Sequence, residues 1–333
     1  MIKYLGSKRL LLPTLQALVA ELDGARTFMD VFSGTSRVGH AMKAQGLRVR
    51  ANDHNAYAAT LARCYVAADR DRVAAPVQKV LDELQALPGR PGYVTRTFCE
   101  QSRFFHPKNG ARIDAMRDRI DALDLPEDVR AVVLVSLMEA SDRVDSTTGV
   151  QMAYLKDWAP RAHNDIALRM PDVLAGPGDA HEMDALDFVR EFSADVVYLD
   201  PPYNQHNYLR NYHVWETLVR WDAPEHYGVA CKRVDCKDRR SDFNSKVRID
   251  EAMQAIIGAV RAKWLLVSFS NEGYIDRDRM VQLLSTRGEV DVRELEYGRY
   301  VGAKIGIYNP DGKKVVKVSH LRNTEYVFRV RCS

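Results

Sequence analysis

Thr27-Phe28-Met29-Asp30-Val31-Phe32-Ser33-Gly34-Thr35-Ser36-Arg37-Val38-Gly39 is the stretch on which the fold turns. Thr27 to Phe32 is a short, mostly apolar run that reads as a buried strand. A Ser-Gly-Thr-Ser turn ends it, and an amphipathic helical pattern continues to about Gln45. Leu47 to Ala51 reads as a second strand closed by Asn52-Asp53, and helical periodicity runs from Ala56 to about Leu87. Strand, glycine turn, helix and strand together begin a β-α-β unit, and therefore a parallel sheet covered by helices. The turn also limits its ligand. Gly34 and Gly39 lack the three-glycine spacing of a pyrophosphate cradle, so backbone brought close to a ligand here suits a nucleoside without phosphates.

Further along, Pro88 to Gly178 changes to helix-like segments, Ile113 to Leu123 and Val129 to Ala140, and reads as a helical insertion. Strand patterns resume at Ala180 to Met183, Asp195 to Leu199 and Trp264 to Ser270. Glu289 to Tyr297 and Glu325 to Val330 then alternate as a final antiparallel pair. The predicted fold is α/β: a doubly wound, Rossmann-like, mostly parallel sheet of seven strands with an antiparallel last strand. Residues 1–87 and 179–333 form its catalytic domain, 88–178 the helical insertion, and 204–248 a second insertion, polar and basic, with a helical pattern at Val214 to Arg220.

The chain has 333 residues, 46% apolar and 28% charged, which is enough for a sizeable core and carries no disorder signature. No apolar run is long enough to span a membrane and no secretory leader is visible, so no membrane association and a cytoplasmic location are expected. Five scattered cysteines suggest neither a disulfide framework nor a metal site. Cys231 and Cys236 are the only close pair, and further ligands at metal spacing are missing. The net charge of +3 is small, but Lys232, Arg233, Lys237, Arg239, Arg240, Lys246 and Arg248 gather against Asp235, Asp238 and Asp242. That excess reads either as a phosphate-binding segment or as a solvated mixed-charge loop.

The chemistry concentrates in Val196-Val197-Tyr198-Leu199-Asp200-Pro201-Pro202-Tyr203. Two prolines take the chain rigidly out of the sheet, because neither donates a ladder hydrogen bond and both fix φ. The resulting shelf offers a carboxylate, main-chain carbonyls and an aromatic face, which match the edge and π-face of a planar amino-bearing group such as adenine. Asp53, about twenty residues after the glycine turn, suits either the hydroxyls of a ribose or the cap of the following helix. Lys3-Tyr4-Leu5-Gly6-Ser7-Lys8 is either a flexible basic leader or a segment that folds over a ligand and contacts a carboxylate.

Four phrases in one order, Tyr4-Leu5-Gly6-Ser7-Lys8, Asp30-Val31-Phe32-Ser33-Gly34-Thr35, Asn52-Asp53 and Asp200-Pro201-Pro202-Tyr203, resemble the Dam-like DNA adenine-N6 methyltransferases. The resemblance covers most of the chain and implies the methyltransferase fold, S-adenosylmethionine as cofactor, duplex DNA as substrate and a cognate restriction endonuclease as partner. It implies cofactor contacts from Tyr4, Gly6, Lys8, Asp30, Phe32, Gly34, Thr35 and Asp53, and from Asp184 toward the cofactor's adenine. Ser268-Phe269-Ser270-Asn271-Glu272-Gly273 resembles the phrase beside the target base, and Glu325-Tyr326-Val327-Phe328 the closing strand. Two departures stand out: Ser-Gly-Thr-Ser where many relatives have more glycine, and Tyr4-Leu5 in place of the commoner Trp-Ala.

On this reading Asp200 and the Pro201 carbonyl accept the two amino protons of a flipped-out adenine, Pro202 stiffens the shelf and Tyr203 stacks on the base. Lys232, Arg233, Lys237, Arg239, Arg240 and Lys246 are candidates for phosphate contacts, and Asn207, Tyr208, Asn211 and Tyr212 for polar and stacking contacts to DNA. The same four equally suit a loop packed on the helix led by Val214 and Trp215. The 88–178 segment is a candidate for target recognition, while Phe104 and Phe105 are read as its core. Competing readings are a methyltransferase for RNA or for a protein glutamine, which Asp200 argues against, and a non-catalytic DNA-binding partner of the same fold.

Overall fold

The computed structural model describes residues 1–6, 8–298 and 322–332; Ser7 of the leader phrase lies outside them. The strands are β1 (Thr27–Asp30), β2 (Arg48–Asn52), β3 (Gly178–His181), β4 (Ala194–Leu199), β5 (His226–Tyr227), β6 (Lys232–Arg233), β7 (Ala262–Ser270), β8 (Val290–Gly298) and β9 (Arg322–Arg331). The helices are α1 (Leu12–Ala20), α2 (Arg37–Ala44), α3 (Ala56–Ala62), α4 (Arg70–Ala86), α5 (Pro107–Ala122), α6 (Glu127–Arg143), α7 (Ala185–Glu191), α8 (Tyr208–Asn211), α9 (His213–Arg220), α10 (Ile249–Ala259) and α11 (Arg277–Ser285).

Seven strands make one sheet in the order β3-β2-β1-β4-β7-β9-β8. All pairs from β3 to β7 are parallel, and β9 runs antiparallel between β7 and β8, as the alternation of the last two strand patterns predicts. The order reverses between β1 and β4, so the carboxyl ends of these neighbours open a crevice where ligands bind in doubly wound sheets.

Helices cover both faces because the central strands are apolar on both sides. Leu15, Leu18, Val38 and Met42 from α1 and α2 pack on Phe28, Val49, Val196 and Leu266. On the other face Phe188, Met253, Ile256, Ile257, Met280 and Leu284 from α7, α10 and α11 meet Met29, Val197, Leu265 and Phe328. A third apolar cluster lies among α3, α4, α5, α6 and α9, around Tyr57, Val77, Ile113, Val133 and Trp215. The helices of the 88–178 segment therefore share their core with α3, α4 and α9. Helix α6 is buried nearly all round and forms the middle of this layer. Phe104 and Phe105 belong to the same core, each 1% exposed.

The helical pattern from Ala56 to Leu87 is not one helix. After α3 the chain widens into π-helical turns over Arg63–Ala67, becomes extended at Ala68 and restarts at α4, where Asp69 accepts the Asp71 N–H. The break is filled from outside: Lys43 Nζ donates to the carbonyls of Val66 and Ala68, both at 2.8 Å. Strand β3 also lies slightly earlier than its apolar pattern suggests. Gly178 is packed so closely that a Cβ there would sit 2.3 Å from the Val66 carbonyl oxygen. The short β5–β6 ribbon inside the polar segment is an addition to the sequence reading.

Candidate active site

At the carboxyl ends of β1, β2 and β4 lies a cleft that opens to solvent. Tyr4, Gly6, Lys8, Asp30, Phe32, Gly34, Thr35, Asp53, Asp200, Pro202, Asn207 and Tyr208 all line it, although they come from widely separated parts of the chain. Pro201 is buried behind it, and the Tyr203 ring packs on Phe269 with centroids 5.2 Å apart. Asp184 is elsewhere. It is exposed, caps α7 by accepting the Leu186 and Asp187 N–H groups, and borders shallower depressions with His54 and Arg239.

The glycine turn is held from β2. Asn52 O accepts the Ser33 N–H at 2.9 Å, and Asp53 Oδ2 accepts the Gly34 N–H at 3.0 Å. Asp53 Oδ1 accepts the Asn55 N–H at 3.0 Å; Asn55, not Asp53, stands at the cap position of α3. Gly34 has φ +50°, and a Cβ there would meet the Tyr4 ring at 3.4 Å, so the turn and the leader enclose the same space. Ser36 is left-handed at φ 59° without being glycine.

Asp30 closes the floor, 1% exposed. Its Oδ2 accepts the Gly39 N–H at 3.0 Å, while Oδ1 is buried with no protein partner. Burial pushes this carboxyl up to about 7 against the opposing Gly39 bond, with Asp200 and Asp53 adding to the rise. Ser33 Oγ, Ser36 Oγ and Asn55 Oδ1 are likewise buried and unpartnered. Orphaned acceptors around a buried carboxyl suit a ligand that brings donors and positive charge.

At the end of β4, Asp200 Oδ1 accepts from Lys8 Nζ and from Ser268 Oγ of β7, each at 3.0 Å. Ser268 is in turn bonded to the buried Tyr198 hydroxyl at 2.7 Å. Lys8 also bonds Glu325 of β9 and lies 5.7 Å from the Tyr203 ring centroid. Burial raises the Asp200 carboxyl above the usual carboxylate range; Lys8 opposes the rise and Glu325 adds to it. For Lys8, burial works to lower the pKa, but Asp200 and Glu325 outweigh it and hold the ammonium well above its ordinary value. Lys8 is therefore a charged bridge between two carboxylates. Tyr198 and Glu325 lie in phrases the sequence singles out, yet neither is given a role in the site there; for Tyr198 the available signal was a hydroxyl near the mouth-side end of the otherwise apolar central strand β4.

The leader is clamped rather than loose. The Tyr4 ring stacks on both Tyr208 and Tyr212, centroids 5.3 and 4.5 Å away, and its hydroxyl meets that of Tyr57 at 3.1 Å. Tyr212 Oη accepts the Leu5 N–H at 2.5 Å. Lys3 Nζ donates to Asp145 at 2.8 Å and its backbone N–H to Asp142 at 3.0 Å, which anchors the leader to the end of α6 and the residues just after it. Gly6 has φ +74°, and a Cβ there would lie 2.9 Å from Tyr208 Oη.

The polar segment closes over one side. Asn207 caps α8 by accepting the Arg210 N–H and donates to Arg239 O, while Tyr208 and Tyr212 serve the leader stack and Asn211 is buried. Its cations divide into two groups. Arg233, 4% exposed, pairs bidentately with Asp222 at 2.7 Å and also with Asp235, and Arg239 binds Glu216 at 2.8 Å and His54 O at 2.9 Å. Lys232 is half-buried, whereas Lys237, Arg240 and Lys246 are exposed, with Lys237 over the Tyr227 ring. No helix among the described residues is long and apolar enough to cross a membrane.

Residues 4–281 match the family described as D12 class N6 adenine-specific DNA methyltransferase. The chain is 28% identical over 333 residues to the type II methyltransferase M.NlaIII of Neisseria lactamica, covering 96% of this chain and 98% of that one. It is 25% identical over 314 residues to the type II methyltransferase M.CviAII of Paramecium bursaria Chlorella virus 1, covering 90% and 92%. Against the modification methylase StsI of Streptococcus sanguinis the identity is 29% over 319 residues, 90% of this chain but 48% of that longer protein.

Proposed function

Because the chain belongs to the D12 class N6 adenine-specific DNA methyltransferase family, we propose that the cleft between the glycine turn and Asp200 is where S-adenosylmethionine and a flipped-out adenine of duplex DNA meet. Methylation of adenine N6 at a specific DNA site is the activity of the family. The observation that carries this placement is that Asp30, Gly34, Asp53 and Asp200 line one cavity at the point where the sheet order reverses.

S-adenosylmethionine supplies an electrophilic methyl group on sulfonium. The chain's part is to bind and aim. Asp30, Phe32, Gly34, Thr35 and Asp53 bound the cofactor region, and Tyr4 and Gly6 cover it. The orphaned Asp30 Oδ1 fits the cofactor's positive charge, which would favour the ionised carboxylate. Asp200 and the Pro201 carbonyl accept the two amino protons of adenine. They hold the nitrogen lone pair toward the methyl and favour the positive charge that develops on nitrogen as the new bond forms. Its proton then leaves through Asp200 or water. Tyr203 offers its face to the base, and stacking of this kind contributes about 1–3 kcal/mol toward the few kcal/mol that base flipping costs.

Lys237, Arg240 and Lys246, with Lys232, are our candidates for phosphate contacts, since their charges are less engaged within the chain than those of Arg233 and Arg239. The helical 88–178 segment is our candidate for target recognition. The names of M.NlaIII and the StsI methylase support a modification role beside a restriction endonuclease.

The test is methyl transfer from labelled S-adenosylmethionine to duplex DNA and to matched RNA, followed by sequencing of modified adenines. Label in duplex DNA at N6 is expected, and label only in RNA would overturn the reading. Asp200→Ala should abolish transfer with cofactor affinity unchanged; near-normal turnover would remove Asp200 from its assigned role.

A further inference from the structure

Lys8 contacts Asp200, the carboxylate assigned to the adenine amino group. An ammonium paired with that carboxylate alone would cancel its charge and compete with the incoming amino group. The cluster is not built that way. Lys8 is bonded at the same time to Glu325, and the side chains of Lys8, Asp200 and Glu325 are 10%, 18% and 13% exposed, so water screens these charges little. Two carboxylates around one ammonium leave a net charge of about −1 at the mouth of the shelf. Both described protein partners of Asp200, Lys8 Nζ and Ser268 Oγ, converge on Oδ1.

The sheet explains how Glu325 arrives there. Strand β9 returns antiparallel beside β7, pairing Ser270 with Glu325 and Ser268 with Val327, and β7 pairs directly with β4. The end of β9 is thereby carried to the same rim as the end of β4. Val327, Phe328 and Val330 farther along the strand are buried in the core. A carboxylate this little exposed, beside a second one, is costly unless it is paired.

We propose that Glu325 is a positioning residue for the methyl transfer: it draws Lys8 into a bridging position, so that Asp200 is oriented by the ammonium yet keeps the negative charge and free acceptor capacity that the adenine amino group requires. This rests on the assignment of Asp200 as the amino-group acceptor. Glu325 acts through Lys8 and does not touch the base.

The experiment uses the full chain with duplex DNA and S-adenosylmethionine. Glu325→Gln keeps an oxygen for Lys8 but removes the charge. The expected result is a fall in kcat of about 10- to 100-fold, the scale of a displaced reacting group, with KM for DNA, cofactor affinity and Tm unchanged. Glu325→Asp should restore part of the rate. In a Lys8→Met background, Glu325→Gln should add little further loss. Normal kcat in Glu325→Gln overturns the proposal. So does a loss that only follows Tm or KM, or an undiminished effect in the Lys8→Met background. A parent chain that does not methylate adenine at all removes the underlying reading instead, which is a different result from an active parent with an indifferent Glu325.

Discussion

Asp30→Asn isolates what the buried carboxyl under the cleft costs the ligand-free protein. Burial and neighbouring carboxylates raise Asp30 from 3.8 to about 7. Below the unfolded value both states are protonated and the group has no effect on stability. Between 3.8 and about 7 the unfolded chain has released its proton while the native state retains it, so stability falls as pH rises. The slope is about 1.4 kcal/mol per pH unit, and the loss is complete once pH passes the native value, at a total on the order of 4 kcal/mol. Asparagine does not titrate, but its amide nitrogen would replace one carboxyl oxygen in a site where Oδ1 has no protein partner, a pH-independent cost of about 1–3 kcal/mol. The variant should therefore gain about 2 kcal/mol on the parent between pH 5 and pH 7, whatever their difference at pH 5, and gain little more above that. Urea unfolding of both proteins without cofactor at pH 5, 6, 7 and 8 measures this directly. A stability difference that is the same at every pH would refute the reasoning. Cofactor affinity should move the other way and weaken in the variant, because the acceptor for positive charge has gone.

Ser36 holds φ 59° where a side chain is strained, so Ser36→Gly should stabilise the fold by about 1 kcal/mol in urea unfolding; a loss of stability would show that Ser36 packing outweighs the strain. Glu216 is fully buried and accepts from Tyr57 N–H, Arg220 and Arg239; burial works to raise its carboxyl, but these bonds hold it below the usual range. Glu216→Ala should cost about 3–5 kcal/mol by the same measurement, and a loss near zero would mean that both guanidinium groups simply turn to water. Tyr212→Phe removes only the hydroxyl that accepts the Leu5 N–H, so hydrogen exchange at Leu5 should quicken by the equivalent of about 1 kcal/mol; unchanged protection would locate the clamp in the Tyr4 stack alone.

Much of this molecule is written in short-range patterns. A strand announces itself by what its own residues bury, as in β1, β4 and β7, and the two prolines after Asp200 end β4 by their covalent geometry. The Gly34 turn and Asp53 were readable for the same reason: their spacing places both at the carboxyl ends of adjacent strands. Other features depend on partners far away in the chain. The widened turns and break at Ala68 are satisfied by Lys43, and the cations Arg233 and Arg239 are engaged by Asp222 and Glu216, acids outside the charge run that a local count covers. The apolar core of the 88–178 helices extends to α3, α4 and α9, which composition along the chain could not reveal. Lys8 and Glu325 are 317 positions apart. Their meeting around Asp200 follows from where β9 lies in the sheet. Periodicity, turn chemistry and motif order thus determined the elements and the kind of chemistry, because these are properties of neighbouring residues. Tertiary structure alone decided which charges remain free at the cleft, because pairing depends on distances that only the folded chain brings within reach.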